Sequence, residues 1–196
     1  MWKIIYLIPW FTEQITEDRY NFLVEFLKNK KIKTIPIIID WKYKVMSDYV
    51  EECKNQMNKH TEHDTVYTLW FSFGAVISYI ISAHTNFIDK QYLCSLSPYF
   101  QEDLDHIPER RKKFMGKDRI NDFQSISSSK LAKNIFAQTY VLYWNKEPNA
   151  VEVTSKRVSK EIKKSNIISI PWAKHDISQD VYSKQIELLL SKSFLS

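Results

Sequence analysis

The sequence predicts an α/β fold in which one mainly parallel, six-stranded sheet carries helices on both faces. Short apolar runs rich in β-branched and aromatic residues alternate with stretches whose apolar residues recur at helical spacing, which is typical of parallel strands joined by crossover helices. The chain has 196 residues, of which 44% are apolar and 26% charged. This length and composition indicate a single folded domain over residues 1–196.

Six apolar runs predict the strands, and six periodic stretches predict the helices. The predicted strands are Ile4 to Ile8, Thr34 to Ile39, Val66 to Phe71, Tyr92 to Leu96, Thr139 to Trp144 and Ile167 to Ile170. The predicted helices are Glu17 to Lys28, Asp48 to Asn58, Ala75 to Ala83, Lys130 to Ala137, Ser155 to Lys164 and Gln179 to Ser191. Ser47 and Thr154 carry the side-chain oxygens that favour an N-cap, so we expect helices to begin there.

The stretch from Phe100 to Ser129 interrupts the alternation. It is polar, contains Pro108 and Gly116, and holds short helical pieces such as Glu109 to Met115. Two interpretations stay open for this insert: a small cap over an active site, or a surface connection made of two short helices.

Composition and motifs exclude several classes of function. The net charge of +5 is spread over lysines beside predicted helices, so we interpret the basic runs as solvated helix faces and expect no nucleic-acid partner. His60 to Asp64 lacks further ligands at metal-site spacing, and we expect no metal and no cofactor. Cys53 and Cys94 form no C-x-x-C motif, which favours a reducing compartment, with Cys94 in the core.

The short N-terminal apolar run leads into polar residues without a cleavage motif. We therefore interpret it as a first strand and not as a signal peptide. No apolar run approaches membrane-spanning length. We expect a cytoplasmic protein with no membrane partner, and the sequence indicates no oligomeric state.

The stretch from Val66 to Ile81 carries the strongest functional signal. A β-rich run ends at Ser72, Gly74 follows two residues later, and an apolar run of helical length comes next. A strand, a sharp turn and a helix in this order would expose the Ser72 hydroxyl above the sheet and place the N–H of Phe73 at a helix N-terminus. Ser72 is therefore the candidate nucleophile.

This stretch resembles the nucleophile elbow of the alpha/beta-hydrolase superfamily, whose pattern is small-x-Ser-x-small. Ser72 to Ala75 fits the pattern, whereas Trp70 stands where the first small residue is expected. The resemblance extends over nearly the whole chain, including Ser97-Pro98-Tyr99 after the fourth strand. It implies a compact three-layer sandwich with strand order 2-1-3-4-5-6, lacking the superfamily's first antiparallel strands.

The same resemblance assigns partners to Ser72. His175 follows the last strand, where the superfamily keeps its base, and Glu147 falls where its acid stands, in the chain order typical of this fold. Asp176 is the second choice for the acid. Asp103 and Asp105, which follow the fourth strand, are the other alternative.

An oxyanion hole needs two backbone donors, one after the nucleophile and one from the loop after the first strand. The resemblance places them at the N–H groups of Phe73 and Phe11. The sequence thus predicts a serine hydrolase acting on small-molecule carboxylic esters or thioesters through an acyl-enzyme, without a cofactor. The alternative is a catalytically inactive scaffold of the same fold that binds a ligand or a protein.

The departures from the superfamily pattern share one form. Tryptophan stands where glycine is expected at positions 10, 70, 144 and 172, and the chain holds only two glycines against six tryptophans, when glycine averages about 7% of residues. One hypothesis is that the source organism decodes UGA as glycine and that these four residues are mis-decoded. The alternative is a divergent, tryptophan-rich protein. As written, Trp70 is expected to push apart the strand and helix that hold Ser72.

Overall fold

A computed structural model describes residues 2–57, 60, 64–172, 175–177 and 179–195. Its strands form one parallel sheet in the order β2-β1-β3-β4-β5-β6, as predicted. The strands are β1 (Lys3–Ile8), β2 (Lys33–Pro36), β3 (Thr65–Phe71), β4 (Lys90–Cys94), β5 (Gln138–Trp144) and β6 (Ser165–Ile170). The predicted fold class, helices on both faces of a six-stranded parallel sheet, is confirmed.

Eight α-helices lie within the described residues. They are α1 (Asn21–Asn29), α2 (Met46–Gln56), α3 (Phe73–Ala83), α4 (Glu109–Met115), α5 (Lys117–Ser125), α6 (Ser128–Ala132), α7 (Asn149–Glu161) and α8 (Asp180–Leu195). Apolar side chains of α1 and α8 pack on one face of the sheet. Those of α2, α3 and α7 pack on the other face. The result is a three-layer sandwich with two separate cores.

The register of the sheet brings the loops that follow its strands to one edge. Ile8 pairs with Trp70, Phe71 with Cys94, Cys94 with Leu142, and Trp144 with Ile170. In an open parallel sheet, sites form beyond the carboxyl ends of the strands. The loops after β1, β3, β4, β5 and β6 can therefore contribute to one site.

Several predicted helix starts are wrong. Helix α2 begins at Met46, and its N-cap is Val45, whose N–H donates to the Asp48 carboxylate at 3.1 Å. Ser47 lies inside the helix instead of capping it. Thr154 also fails as an N-cap, because α7 already begins after Pro148, whose missing N–H is no loss at a helix start.

The other boundaries differ by smaller shifts. Strand β2 ends at Pro36 instead of Ile39, although the Ile37 N–H still donates to the Leu7 carbonyl at 2.9 Å. Helix α6 covers Ser128–Ala132 and does not extend to Ala137. Cys94 is fully buried in β4, so its predicted core position is confirmed, and burial raises the pKa of its thiol.

The insert from Phe100 to Ser129 contains a 3-10 helix (Gln101–His106), then α4, α5 and the start of α6. The predicted helix Glu109 to Met115 is confirmed as α4. One set of hydrogen bonds joins the two ends of the insert, and another attaches α5 to α2. Glu102 accepts hydrogen bonds from the Ser127 hydroxyl at 2.7 Å and the Ser128 N–H at 3.0 Å. Asp122 of α5 accepts from the Ser47 hydroxyl at 2.5 Å.

Candidate active site

Ser72 forms the turn between β3 and α3. Its backbone has φ 52° and ψ −111°, a conformation that is strained for a residue with a Cβ. The Ser72 N–H donates to the Cys94 carbonyl of the neighbouring strand at 2.8 Å, which fixes the turn. The side chain is almost fully buried at the floor of a cavity. This is the strained strand-to-helix turn that aims a serine hydroxyl away from the sheet.

Gly74 explains how close the helix comes to the sheet. A Cβ built at this position would lie 2.8 Å from Ile8 Cγ2 and 3.1 Å from the Pro9 carbonyl oxygen. The first turn of α3 therefore packs directly on the end of β1 and the loop after it. A small residue is required two positions after Ser72 for this contact.

His175 and Glu147 lie beside Ser72 in a chain of hydrogen bonds. His175 Nε2 is 3.1 Å from Ser72 Oγ, and His175 Nδ1 hydrogen-bonds the Glu147 carboxylate. An ionised carboxylate only accepts hydrogen bonds, so Nδ1 carries the proton. In the neutral ring, Nε2 is then an acceptor directed at the Ser72 hydroxyl.

Glu147 is held in place by a second hydrogen bond besides the one to His175. Its side chain is fully buried, and its second oxygen accepts the Trp144 N–H at 3.0 Å. In the loop after β6, the Trp172 N–H donates to Asn145 Oδ1 of the loop after β5 at 2.8 Å. The loops after β5 and β6 are thus held together, and sequence reasoning missed Asn145 because its role depends on a contact between distant loops.

The alternative acids take other positions. Asp103 is buried, but its carboxylate accepts from Thr154 Oγ1 at 2.8 Å and pairs with Arg157 at 2.6 Å. Asp105 is exposed in the 3-10 helix after β4. Asp176 follows His175 directly, whereas the Nδ1 bond of the imidazole goes to Glu147.

The two predicted oxyanion donors line the same cavity as Ser72. The rings of Phe11 and Phe73 lie 5.2 Å apart between centroids. Among the described residues, no protein group accepts a hydrogen bond from the N–H of either residue. Both N–H groups are therefore available to an acceptor in the cavity.

Tyr20 and Glu13 hold the loop that carries Phe11. The Tyr20 hydroxyl accepts the Trp10 N–H at 2.9 Å and donates to the Glu13 carboxylate at 2.5 Å. Burial and the bond to Glu13 raise the pKa of Tyr20 well above its ordinary value, so the phenol stays neutral. Sequence reasoning missed this pair, which no local motif marks.

Ser97 is a further polar neighbour of the candidate nucleophile. Its hydroxyl lies 3.0 Å from Ser72 Oγ, and its side chain is buried at the cavity floor. The sequence analysis identified Ser97-Pro98-Tyr99 as a motif after the fourth strand, but it did not predict this contact. Since either hydroxyl can donate, Ser97 can orient the Ser72 hydroxyl towards Nε2.

The cavity above Ser72 has a volume of about 440 Å³. Its floor is Ser72, Ser97 and His175, and its walls come largely from the loop after β1 and from α4 and α5. The wall residues are Trp10, Phe11, Phe73, Pro98, Tyr99, Arg111, Phe114, Met115, Arg119, Phe123, Pro148, Ala150 and Val151. The volume suits a small organic ligand.

The four tryptophans at expected glycine positions differ in their surroundings. Trp10 packs edge-on against His175, with ring centroids 4.1 Å apart. Trp70 and Trp144 are fully buried, and neither indole N–H has a hydrogen-bond partner in the part of the chain that the structure describes. Trp172 has φ 66° and is 76% exposed, and such a φ favours glycine.

One expectation about Trp70 is wrong. Its side chain is fully buried in the core that also contains the apolar side chains of α3. The pairing of Trp70 with Ile8 and Leu93 is regular. The strand and the helix are therefore not pushed apart, and Ser72 keeps its contact with His175.

Two further findings concern other classes of function. Within the residues that the structure describes, no cluster of three or more His, Cys, Asp or Glu side chains could hold a metal ion. Thr61 to His63, part of the histidine-rich stretch, lie outside the described residues. No helix in the described part of the chain is long and apolar enough to cross a membrane.

Comparison with solved structures gives many matches over nearly the full chain. Est1E from Butyrivibrio proteoclasticus matches with a TM-score of 0.77 at 13% identity, over 99% of this chain and 88% of that chain. A putative hydrolase from Agrobacterium vitis S4 matches with a TM-score of 0.80 at 8% identity, over 99% and 88%. A Pyrococcus furiosus esterase gives 0.70 at 14% identity, over 98% and 80%.

No protein-family model and no curated protein matches the sequence. The sheet order and these structures nonetheless define the class of fold. It is a doubly wound parallel sheet of the kind found in esterases and other hydrolases. The chain has the alpha/beta-hydrolase fold. The resemblance noted in the sequence is confirmed at the level of the fold.

Proposed function

We propose that this protein is a serine hydrolase that cleaves carboxylic esters or thioesters through an acyl-enzyme. The observation that carries the proposal is the hydrogen-bonded series Ser72, His175 and Glu147, built on a strained turn. A serine hydroxyl becomes a nucleophile when a positioned base takes its proton. The esterase and hydrolase structures of the same fold support the same reaction class.

In the proposed reaction, Ser72 Oγ attacks the acyl carbon while His175 Nε2 accepts the hydroxyl proton. Glu147 stabilises the imidazolium through Nδ1. The N–H groups of Phe11 and Phe73 donate to the oxygen that becomes negative. The intermediate then expels the alcohol or thiol, which takes the proton from Nε2, and leaves Ser72 acylated.

Water completes the cycle. His175 Nε2 accepts a proton from a water molecule that attacks the acyl carbon, and the Ser72 oxygen leaves and regains a proton from the same imidazolium. The products are the carboxylic acid and free Ser72. The 440 Å³ cavity over Ser72 is the proposed substrate site, and α4 and α5, which supply much of its wall, are proposed as the small cap.

Labelling with a fluorophosphonate tests the proposal. The reagent should modify Ser72, as located by peptide mass spectrometry, and His175→Ala should abolish the modification. Ser82→Ala is the matched control, because Ser82 is a buried serine of α3 whose hydroxyl lacks a partner among the described residues. Absence of labelling in both the folded chain as written and its Trp10→Gly/Trp70→Gly variant would contradict the hydrolase and favour the inactive scaffold.

We also propose that Trp10, Trp70, Trp144 and Trp172 are glycines in the protein as its source organism makes it. Three observations support this proposal. Trp172 has a positive φ, the buried indole N–H groups of Trp70 and Trp144 have no partner among the described residues, and the Trp10 ring lies against His175. A buried donor left unpaired costs about 1–3 kcal/mol. A Trp at positive φ is uncommon because its Cβ meets the backbone.

Three measurements test the recoding. Mass spectrometry of peptides from the native source should show glycine at these positions, and the codons should be UGA. UGG at all four codons would refute it. In the chain as written, Trp10→Gly together with Trp70→Gly is expected to raise ester hydrolysis, since Trp10→Gly removes the ring against His175.

A further inference from the structure

Two arginines line the cavity above Ser72. Arg111 comes from α4 and Arg119 from α5, and the remaining lining is mostly aromatic or aliphatic. No Asp or Glu side chain belongs to the lining in the described part of the chain. The cavity therefore combines mostly apolar walls with two positively charged side chains.

Arg119 is held in place but not neutralised. Its Nε donates to the Lys44 carbonyl at 2.8 Å, and one terminal nitrogen lies 3.4 Å from the Tyr49 hydroxyl. The guanidinium stacks over the Tyr43 ring, 4.4 Å from its centroid. A guanidinium has five N–H donors, so Arg119 keeps donors for another acceptor.

Arg111 is similarly without a carboxylate. It donates to the Tyr99 hydroxyl at 2.7 Å and lies over the same ring. Among the described residues, no acidic group lies within 4.0 Å of either Arg111 or Arg119. Arg19 and Arg157, by contrast, pair with carboxylates at 2.5 Å and 2.6 Å.

We propose that this cavity binds an ester or thioester whose apolar or aromatic body ends in an anionic group, held by Arg111 and Arg119. The planar guanidinium matches the geometry of carboxylate and phosphate oxygens. The ring contacts of both arginines limit the side-chain entropy lost on binding. This inference rests on the proposed hydrolase function for turnover, but not for binding of the anion.

Kinetics with matched esters test the inference. The p-nitrophenyl monoester of a linear dicarboxylic acid is compared with the p-nitrophenyl ester of a monocarboxylic acid of equal chain length, and an ω-phosphonate analogue distinguishes the two anions. Arg111→Gln and Arg119→Lys should each lower kcat/KM for the anionic ester by about 10- to 100-fold, mainly through KM, since hydrogen bonds to charged groups are the strong ones. The neutral ester should lose much less, so the ratio of kcat/KM for the anionic ester to that for the neutral ester should fall by about 10-fold or more.

Arg110→Gln is the matched control. Arg110 is exposed on the same helix and does not line the cavity. It should leave the preference for the anionic ester unchanged, while added salt should weaken that preference in the wild type. Hydrolysis of both esters at equal rates, unaffected by the Arg111 and Arg119 variants, would overturn the inference and leave the proposed function intact.

A binding measurement separates the two proposals. Ser72→Ala cannot form an acyl-enzyme, so calorimetric titration with the free dicarboxylic acid reports binding without turnover. The reference ligand is the uncharged primary amide of the monocarboxylic acid, because the free monocarboxylic acid is itself an anion. Binding of the dicarboxylic acid that is lost in Ser72→Ala/Arg111→Gln supports the inference even if no ester is hydrolysed, and absence of binding by the Ser72→Ala protein contradicts it.

Discussion

Substitution of Gly74 by alanine would test whether the close packing of α3 on β1 sets the site. The new Cβ would lie 2.8 Å from Ile8 Cγ2 and 3.1 Å from the Pro9 carbonyl oxygen. Since carbon atoms pack best at about 3.5–4.0 Å, the helix or the loop must move by roughly 0.7–1.2 Å. Ser72 directly precedes α3 and Phe11 follows Pro9 by two residues, so either movement changes the distance between nucleophile and oxyanion donor.

The expected loss follows from this displacement. Overpacking in a core costs about 1–3 kcal/mol, and a misplacement near 1 Å lowers an enzymatic rate by about 100-fold. We therefore expect Gly74→Ala to lower kcat/KM by about 10- to 100-fold. The assay is hydrolysis of p-nitrophenyl butyrate, with active sites titrated by the fluorophosphonate and stability followed by thermal unfolding.

Gly116→Ala is the matched control for this experiment. Gly116 has φ 86°, and its added Cβ would meet only the flexible end of Tyr43 at 2.8 Å. Because of the positive φ, this variant should lose about 1 kcal/mol or somewhat more of stability, yet keep its kcat for the neutral ester. If Gly74→Ala shows wild-type kcat/KM and complete labelling, the reasoning from close packing is wrong.

Three further substitutions test other parts of the site and its frame. Glu147→Gln should lower kcat for the neutral ester by about 10³- to 10⁴-fold, because the imidazolium loses its carboxylate, and a near wild-type kcat would exclude Glu147 as the acid. Tyr20→Phe removes the acceptor of the Trp10 N–H, so steady-state kinetics should show kcat falling about 10-fold with KM nearly constant, whereas a change confined to KM would contradict a positioning role. Partial burial acts to raise the pKa of Glu102, but hydrogen bonds from Ser127 and the backbone lower it from 4.5 to about 2. The contribution of Glu102 to the stability of the fold is therefore complete above pH 4.5 and is lost as the pH falls towards 2. The difference in Tm between wild type and Glu102→Gln should therefore decrease as the pH falls from 4.5 towards 2. Glu109→Gln, which removes an exposed ion pair, is the control and should have little effect on Tm. A Tm difference for Glu102→Gln that does not depend on pH would refute the lowered pKa of Glu102.

The features that the sequence predicted correctly are those that leave a periodic pattern or a fixed order of residues along the chain. Alternating apolar runs located all six strands and most helices, because burial on a sheet face or a helix stripe leaves a repeating pattern. Ser72 was predictable because strand, serine, glycine and helix are consecutive. His175 and Glu147 were named from a resemblance, and the structure brings both to Ser72.

Other features could not be predicted because they arise from tertiary contacts. Thr154 is a good N-cap residue by type, yet its hydroxyl donates to Asp103, 51 residues away. Tyr20 and Asn145 hold loops that approach one another only in the folded chain. The pairing of Ser97 with Ser72 likewise requires two strands to be adjacent.

The hydrogen bonds that hold the insert give the molecule a modular character. The proposed reacting groups follow β3, β5 and β6, whereas Arg111 and Arg119 belong to residues 109–125, a segment whose flanks are joined by Glu102 and Ser127 and which Asp122 attaches to Ser47 of α2. A homologous or designed replacement for residues 109–125 that preserves these two anchors could exchange the ligand preference while the reaction chemistry is retained. New selectivities can then be explored in this fold without changing the proposed series Ser72, His175 and Glu147.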